Sequence, residues 1–439
     1  MFALKSDHII TPKGKQPGII IIDRGKIVDV LDSDPGESIP VVDLRDKILM
    51  PGVVDPHVHI NEPGRTEWEG FDTATRAAVA GGVTSLVEMP LNSSPVTTSF
   101  DSYHVKIAAA NKRIHCHCGF WGGVVPGNEK EIHPMITAGV RGFKAFLVHS
   151  GIDEFPAVNE EDLRKVMPIL AAHQLPLLVH CELESPVGQL PGGNKTSYER
   201  YLASRPAYWE DNAISLIIKL CGEFRCPVHI VHLSSANSLA QIRKAKDQGL
   251  PLTVETTQHY LYFAAENIKE GETQFKCAPP IRSRENNKRL LEALRTGLID
   301  FVATDHSPAL PSLKQIDTGD FEVAWGGIAS LQFSLPALWT VMKKNGESLE
   351  NLAKWLCEKP SLLPALENKG RLVKGADADI LVFDPAGSFE VKEEMILHRH
   401  KITPYLGEKL DGLVEQVYLA GEKIYEQGNF LHLNRGTIL

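Results

Sequence analysis

Apolar residues are distributed along this chain in two regimes. In residues 1–50, and again in 370–439, short runs are separated by turns rich in Asp, Gly and Pro; examples are Gly18-Ile19-Ile20-Ile21-Ile22, Lys26-Ile27-Val28-Asp29-Val30 and Asp379-Ile380-Leu381-Val382-Phe383. This is the pattern of strands and hairpins. Neither piece is long enough for a comfortable sheet domain alone, so the two ends are expected to pair as one small composite β-sandwich domain. Residues 51–369 read differently, as short apolar runs alternating with longer amphipathic segments, the pattern of repeated βα units. Strands are predicted at Val53–His59, Val83–Met89, His115–Trp121, Val140–Leu147, Leu175–Cys181, Pro227–Leu233, Pro251–Glu255 and Ile299–Thr304, with helices at Glu160–His173, Ser235–Gln248 and Arg284–Thr296. Eight such runs point to an α/β fold, a (β/α)8 TIM-like barrel. A doubly wound open sheet is the competitor, but no Gly-x-Gly-x-x-Gly follows an early strand, so its dinucleotide-binding form loses its main support.

Composition narrows the function classes. Of 439 residues, 43% are hydrophobic and 23% charged, as in ordinary globular proteins. The formal net charge is -9 with no long basic run, so nucleic acid is not an expected partner. No apolar stretch approaches the length of a membrane span, and the amino terminus lacks the organisation of a secretory signal. Seven scattered cysteines do not form a disulfide framework and suit a reducing compartment. The cytoplasm is the expected location, with organelles still open.

The chemistry concentrates at the predicted strand ends. His57-Val58-His59 closes the first predicted strand, where alternation lets residues two apart project to one side and converge on an ion. Reading the remaining strand ends adds Lys144, His180, His232 and Asp305, and in such a barrel these ends share one rim. Lys144 lies in the apolar run Gly142-Phe143-Lys144-Ala145-Phe146-Leu147-Val148, where an ammonium is costly to desolvate. A neutral amine there can add carbon dioxide and become a carbamate, an anionic ligand able to bridge two ions. Asp305 can bind an ion and carry the proton of an attacking water to a leaving group. His229 is expected on the opposite face of its strand, as a structural residue. His115-Cys116-His117-Cys118 is read as a packed barrel strand, and His259 and His306 as neighbours of the site or core residues.

These motifs resemble those of the cyclic amidohydrolases, the group of dihydroorotases, dihydropyrimidinases or hydantoinases, and allantoinases, over essentially the whole length. The flanks are most similar to the allantoinase branch: Asn61-Glu62-Pro63-Gly64-Arg65-Thr66-Glu67-Trp68-Glu69-Gly70-Phe71, Glu88-Met89-Pro90-Leu91-Asn92-Ser93-Ser94-Pro95, Ala203-Ser204-Arg205-Pro206 and Trp325-Gly326-Gly327-Ile328. Dihydroorotases typically carry Arg where Asn61 stands, which suits a substrate carboxylate that allantoin lacks. The resemblance implies a binuclear enzyme that opens the hydantoin ring of (S)-allantoin to allantoate in purine degradation. Its metal ligands would be His57, His59, N6-carboxylated Lys144, His180, His232 and Asp305, holding two divalent ions expected to be zinc. A metal-bridging hydroxide would attack the ring amide while Asp305 shuttles the proton. Asn61, Asn92, Cys277 and Trp325 are candidate substrate contacts, and a homotetramer acting on a small molecule is implied, with neither nucleic acid nor membrane as partner. The alternatives are a dihydropyrimidinase, hydantoinase or dihydroorotase, and, outside enzymes, a structural relative like the collapsin-response proteins.

Overall fold

The structure is a computed structural model, and it describes residues 1–32, 36 and 39–439. The amino-terminal strands are β1 (Phe2–Thr11), β2 (Gly14–Asp23), β3 (Lys26–Leu31), β4 (Val41–Asp43) and β5 (Ile48–Pro51). They precede the barrel strands β6 (Val53–Val58), β7 (Val83–Glu88), β8 (His117–Phe120), β9 (Gly122–Gly123), β10 (Phe143–Phe146), β11 (Leu177–His180), β12 (Val228–Ile230), β13 (Leu252–Thr257) and β14 (Phe301–Ala303). The chain finishes with β15 (Ile380–Glu390), β16 (Lys409–Leu419), β17 (Glu422–Glu426) and β18 (Asn429–Phe430).

The two ends meet in one nine-stranded sheet, ordered β18-β17-β16-β15-β5-β1-β2-β3 with β4 beside β1. The junction is the antiparallel pairing of β15 with β5, Ile380 opposite Pro51 and Phe383 opposite Ile48. The sheet curls around Leu4, Ile20, Leu49, Ile380, Val382 and Tyr418, all buried. Alternation explains the choice: in β15, Ile380 and Val382 belong to this cluster, while Leu381 and Phe383 pack into the main core.

The barrel strands run parallel throughout. Strands such as Leu177-Leu178-Val179-His180 are buried at every residue, as expected where one face meets helices and the other the barrel interior. The third strand is interrupted at Trp121, whose indole N–H donates to Pro56 O at 2.8 Å, and resumes as β9 beside β10. Glycine is required there, because a Cβ on Gly123 would sit 2.5 Å from the Phe155 ring. The last strand closes on the first through a parallel bridge between Val58 and His306, and Thr304 Oγ1 donates to Asp55 at 2.6 Å.

Helices cover the barrel. Glu160–His173 starts at Asn159, whose side chain accepts from Glu161 N and Asp162 N, with three acids in its first turn; the cap and the helix dipole both favour this start. The expected helix 235–248 divides into a 3-10 turn, Ala236–Ser238, and an α-helix, Leu239–Asp247. Arg284–Arg295 lies within one residue of expectation. Among the described residues no helix is long and apolar enough to cross a membrane.

Candidate active site

The carboxyl ends of the barrel strands open into a cavity of about 950 Å³, with His57, His59, His180, His232 and Asp305 in its wall. Ligand atoms of His57, His232 and Asp305 lie within 4.8 Å of one another. Asp305 Oδ1 is 3.2 Å from His57 Nε2 and 3.5 Å from His59 Nε2. The His180 and His232 rings are edge to face at 4.6 Å, and the His57 and His232 rings are 5.4 Å apart. Five side chains drawn from strands far apart in sequence thus line one rim, and Lys144, on β10, lies near enough for the Asp305 and Glu255 carboxylates to act on it.

Lys144 is fully buried, and its Nζ has no hydrogen-bond partner among the described residues. The ammonium sits 4.9 Å from the Phe146 ring, and burial draws its pKa down to about 8. An amine so placed spends more of its time neutral, and hence nucleophilic, than a lysine in water. Burial pulls the His59, His180 and His232 imidazoles below their ordinary range, which keeps ring nitrogens available as ligands. His57 moves the other way: burial lowers it, but the Glu255 and Asp305 carboxylates outweigh this and raise it to about 9. Burial raises the Asp305 carboxyl, yet His57 and His59 outweigh burial and hold it well below the usual carboxylate range.

Two carboxylates that sequence reading passed over orient the imidazoles. Glu255, within β13, hydrogen-bonds His57 Nδ1 and leaves Nε2 toward Asp305. Its other oxygen meets His229 Nε2 at 3.1 Å. Glu182 takes His180 Nε2 at 2.7 Å and is gripped by both arms of Arg205, at 3.0 and 2.5 Å, so Nδ1 of His180 is left for the cavity. Such carboxylate–histidine pairs fix ring orientation and basicity. A signal existed for Glu182: it stands two residues beyond His180, as His59 does beyond His57.

His229 corrects the alternation argument. It faces the barrel interior, with Nδ1 2.8 Å from Thr253 Oγ1 and its ring stacked on Phe301. Strand pairing in β12 ends at Ile230, and His232 takes a left-handed φ of 36°, which turns its side chain back toward the site. Asp305 has a φ of 45°. Non-glycine residues held in this region carry backbone strain of a kind that clusters at functional sites.

The weaker candidates divide. Asn92 and Trp325 line the cavity. Asn61 is fully buried, and its Nδ2 donates to Pro308 O at 3.2 Å, anchoring the segment that follows Asp305. The Cys277 side chain is buried behind the wall, its thiol pushed up to about 12 by burial, while Ala278 lines the cavity. Around Ala278, side chains take the carbonyls of Lys276, Cys277, Pro279, Pro280 and Ile281. Neither the N–H nor the C=O of Ala278 has a hydrogen-bond partner among the described residues. His306 accepts from Ser330 N and Leu331 N through Nδ1, a structural role. His115 and His117 bind Asp72 and Thr437, and all seven cysteines are buried and free.

A parallel eight-stranded barrel with an added β-domain, and with imidazoles and a carboxylate at the strand ends, defines a TIM-barrel metal hydrolase. The chain belongs to the amidohydrolase family, which matches residues 48–424. It is 44% identical to the allantoinase of Streptomyces avermitilis over 429 residues, 97% of this chain and 96% of that protein. It is 42% identical to the allantoinase of Arabidopsis thaliana, across 97% of this chain and 88% of that one. Among solved structures, L-hydantoinase (dihydropyrimidinase) from Arthrobacter aurescens superposes with a TM-score of 0.92 at 29% identity, covering 100% and 99% of the two chains.

Proposed function

We propose that this enzyme hydrolyses the hydantoin ring of allantoin to allantoate, using two divalent ions held at the barrel rim. Similarity to allantoinases over nearly the full length carries the choice of substrate. The buried, unpartnered Lys144 amid four imidazoles and a carboxylate supports the choice of chemistry. This donor set fits divalent ions: His57, His59 and Asp305 would hold one, and His180 and His232 the other. Lys144, after its neutral amine forms an N–C bond to carbon dioxide and releases a proton, would lie between them as a carbamate. Zinc is the expected metal, and ions bound there supply Lewis acidity and lower the pKa of water.

The side chains supply the rest of the reaction. Water adds to the ring carbonyl carbon and the C–N bond breaks. Asp305 takes the proton lost by the water and returns it to the departing nitrogen, so one carboxylate serves both halves. Glu255 keeps His57 turned toward Asp305, and Glu182 keeps His180 turned toward the cavity. The free amide edge of Ala278 offers one donor and one acceptor side by side, a match for the alternating N–H and C=O groups of a cyclic ureide. Asn92, whose Oδ1 has no partner among the described residues, can pair with the ureido arm.

The structural likeness to an L-hydantoinase favours a second reading, a hydantoinase of wider range. Turnover of allantoin, dihydroorotate, dihydrouracil and hydantoin on one metal-loaded preparation separates the readings. Allantoin is expected to rank first in kcat/KM, and a last place would overturn the assignment. We further propose a cytoplasmic homotetramer; light scattering on purified protein tests the oligomeric state.

A further inference from the structure

Lys314 lies nine residues beyond Asp305, outside the ligand set, yet only 4% of it is exposed. Its Nζ donates to three backbone carbonyls, Lys276 O at 2.7 Å, Trp325 O at 2.9 Å and Gly327 O at 2.5 Å. An ammonium has three donors and no acceptor, so the group is fully spent, and among the described residues no carboxylate takes part. Lys276 interlocks with it, donating from its own Nζ to Ala324 O at 2.6 Å and Glu322 O at 3.3 Å. Lys276 also lies 5.0 Å from the Tyr201 ring.

The tied segments are two walls of the cavity. One follows β13 and carries Ala278; the other follows β14 and carries Trp325 and Gly326. They come close at Gly326, where an added Cβ would lie 3.6 Å from the Ala278 Cβ. The second wall is in turn seated on the catalytic strand end: Ser307 N donates to Ile328 O at 2.9 Å, and a Cβ on Gly327 would come within 2.5 Å of Ser307 O. Lys314 therefore joins, through one atom, the free amide of Ala278 to the segment that leaves Asp305.

A residue serving only to fill this space would be apolar, because burying an ammonium is costly unless its hydrogen bonds are needed. No other side chain presents three diverging donors from a single point; the guanidinium of arginine is a flat fork.

We propose that Lys314 is a positioning residue for substrate, setting the distance between the Ala278 amide and Asp305 by holding both walls through their carbonyls. The inference rests on the reading of this cavity as a site for a cyclic ureide. Lys314→Met removes the donors at similar volume. In the metal-loaded variant, KM for allantoin is expected to rise tenfold or more, with kcat falling by a smaller factor and metal content unchanged. Hydrogen exchange in 322–328 is expected to quicken while β6 and β11 stay protected. A folded, metal-loaded Lys314→Met with the parent's KM and the parent's exchange in 322–328 would overturn the proposal. Should that variant not fold, Lys276→Met, which removes only the second tie, decides: a threefold or greater rise in KM supports the clamp, and an unchanged KM rejects it. Parent enzyme inert toward allantoin would instead defeat the substrate assignment, and the exchange comparison would still judge the clamp.

Discussion

Lys144 concentrates the chemistry at the scale of the residue. An unpartnered, fully buried amine is a poor choice for stability, since a charge there is unpaired and a neutral amine lacks a hydrogen bond. As a carbamate it would become an anion among imidazoles. Lys144→Ala is accordingly expected to lose at least about a thousandfold in kcat, as for removal of a central catalytic group, together with metal. Short carboxylic acids that occupy the vacated space are expected to restore part of both. Full activity with a full metal complement in that variant would contradict the role. Glu255 makes a second, subtler case. Glu255→Gln keeps the shape but weakens the hold on His57, and metal affinity is expected to fall by about 10–100-fold, read by titration against a competing chelator. An unchanged affinity would reduce Glu255 to a packing residue.

Elements decide where these residues can meet. Each strand that carries or precedes a candidate ligand is only three to six residues long and buried at every residue. Two strand ends depart from simple pleating, at His232 and Asp305, and both departures are left-handed turns. Strand ends also join the β-domain to the barrel. Asp379, beside the start of β15, bonds Lys369 at 2.6 Å and Ala420 N at 2.8 Å, with His117 of the barrel 3.7 Å away. Burial raises the Asp379 carboxyl, but His117 and Lys369 outweigh burial and leave it at about 2, against an ordinary 3.8. A depressed folded-state pKa means the unfolded chain binds the proton more readily, so the stabilisation is full above about pH 4 and disappears as pH falls through about 2. Asp379→Asn is expected to cost up to about 2 kcal/mol near neutrality and to flatten the stability profile between pH 4 and 2. Urea unfolding across that range tests this, and parallel profiles for parent and variant would refute it.

At the scale of the whole molecule, the proposed centre would draw its ligands from β6, β10, β11 and from the ends of β12 and β14, so metal binding and barrel closure should be linked. Chelation is expected to abolish turnover and lower the melting temperature by several degrees, because an ion that binds only the folded state stabilises it by mass action. Zinc with bicarbonate should restore both; a melting temperature indifferent to the metal would mean the rim is rigid without it. The sequence by itself determined the barrel and the meeting of the chain ends, and it singled out six residues as candidate ligands, because these depend on local information: buried parallel strands are largely apolar runs, and a polar residue ending such a run is conspicuous. Residues whose meaning lies in a distant partner stayed hidden. Glu255 and Lys314 each look like an ordinary charged residue along the chain, Glu182 shows only its two-residue spacing from His180, and Asn61 and Cys277 look like substrate contacts by proximity to motifs. Only the tertiary structure decided which of these face the cavity, which hold a neighbour in place and which are walled off, since orientation at a barrel rim is set by contacts between strands and loops hundreds of residues apart.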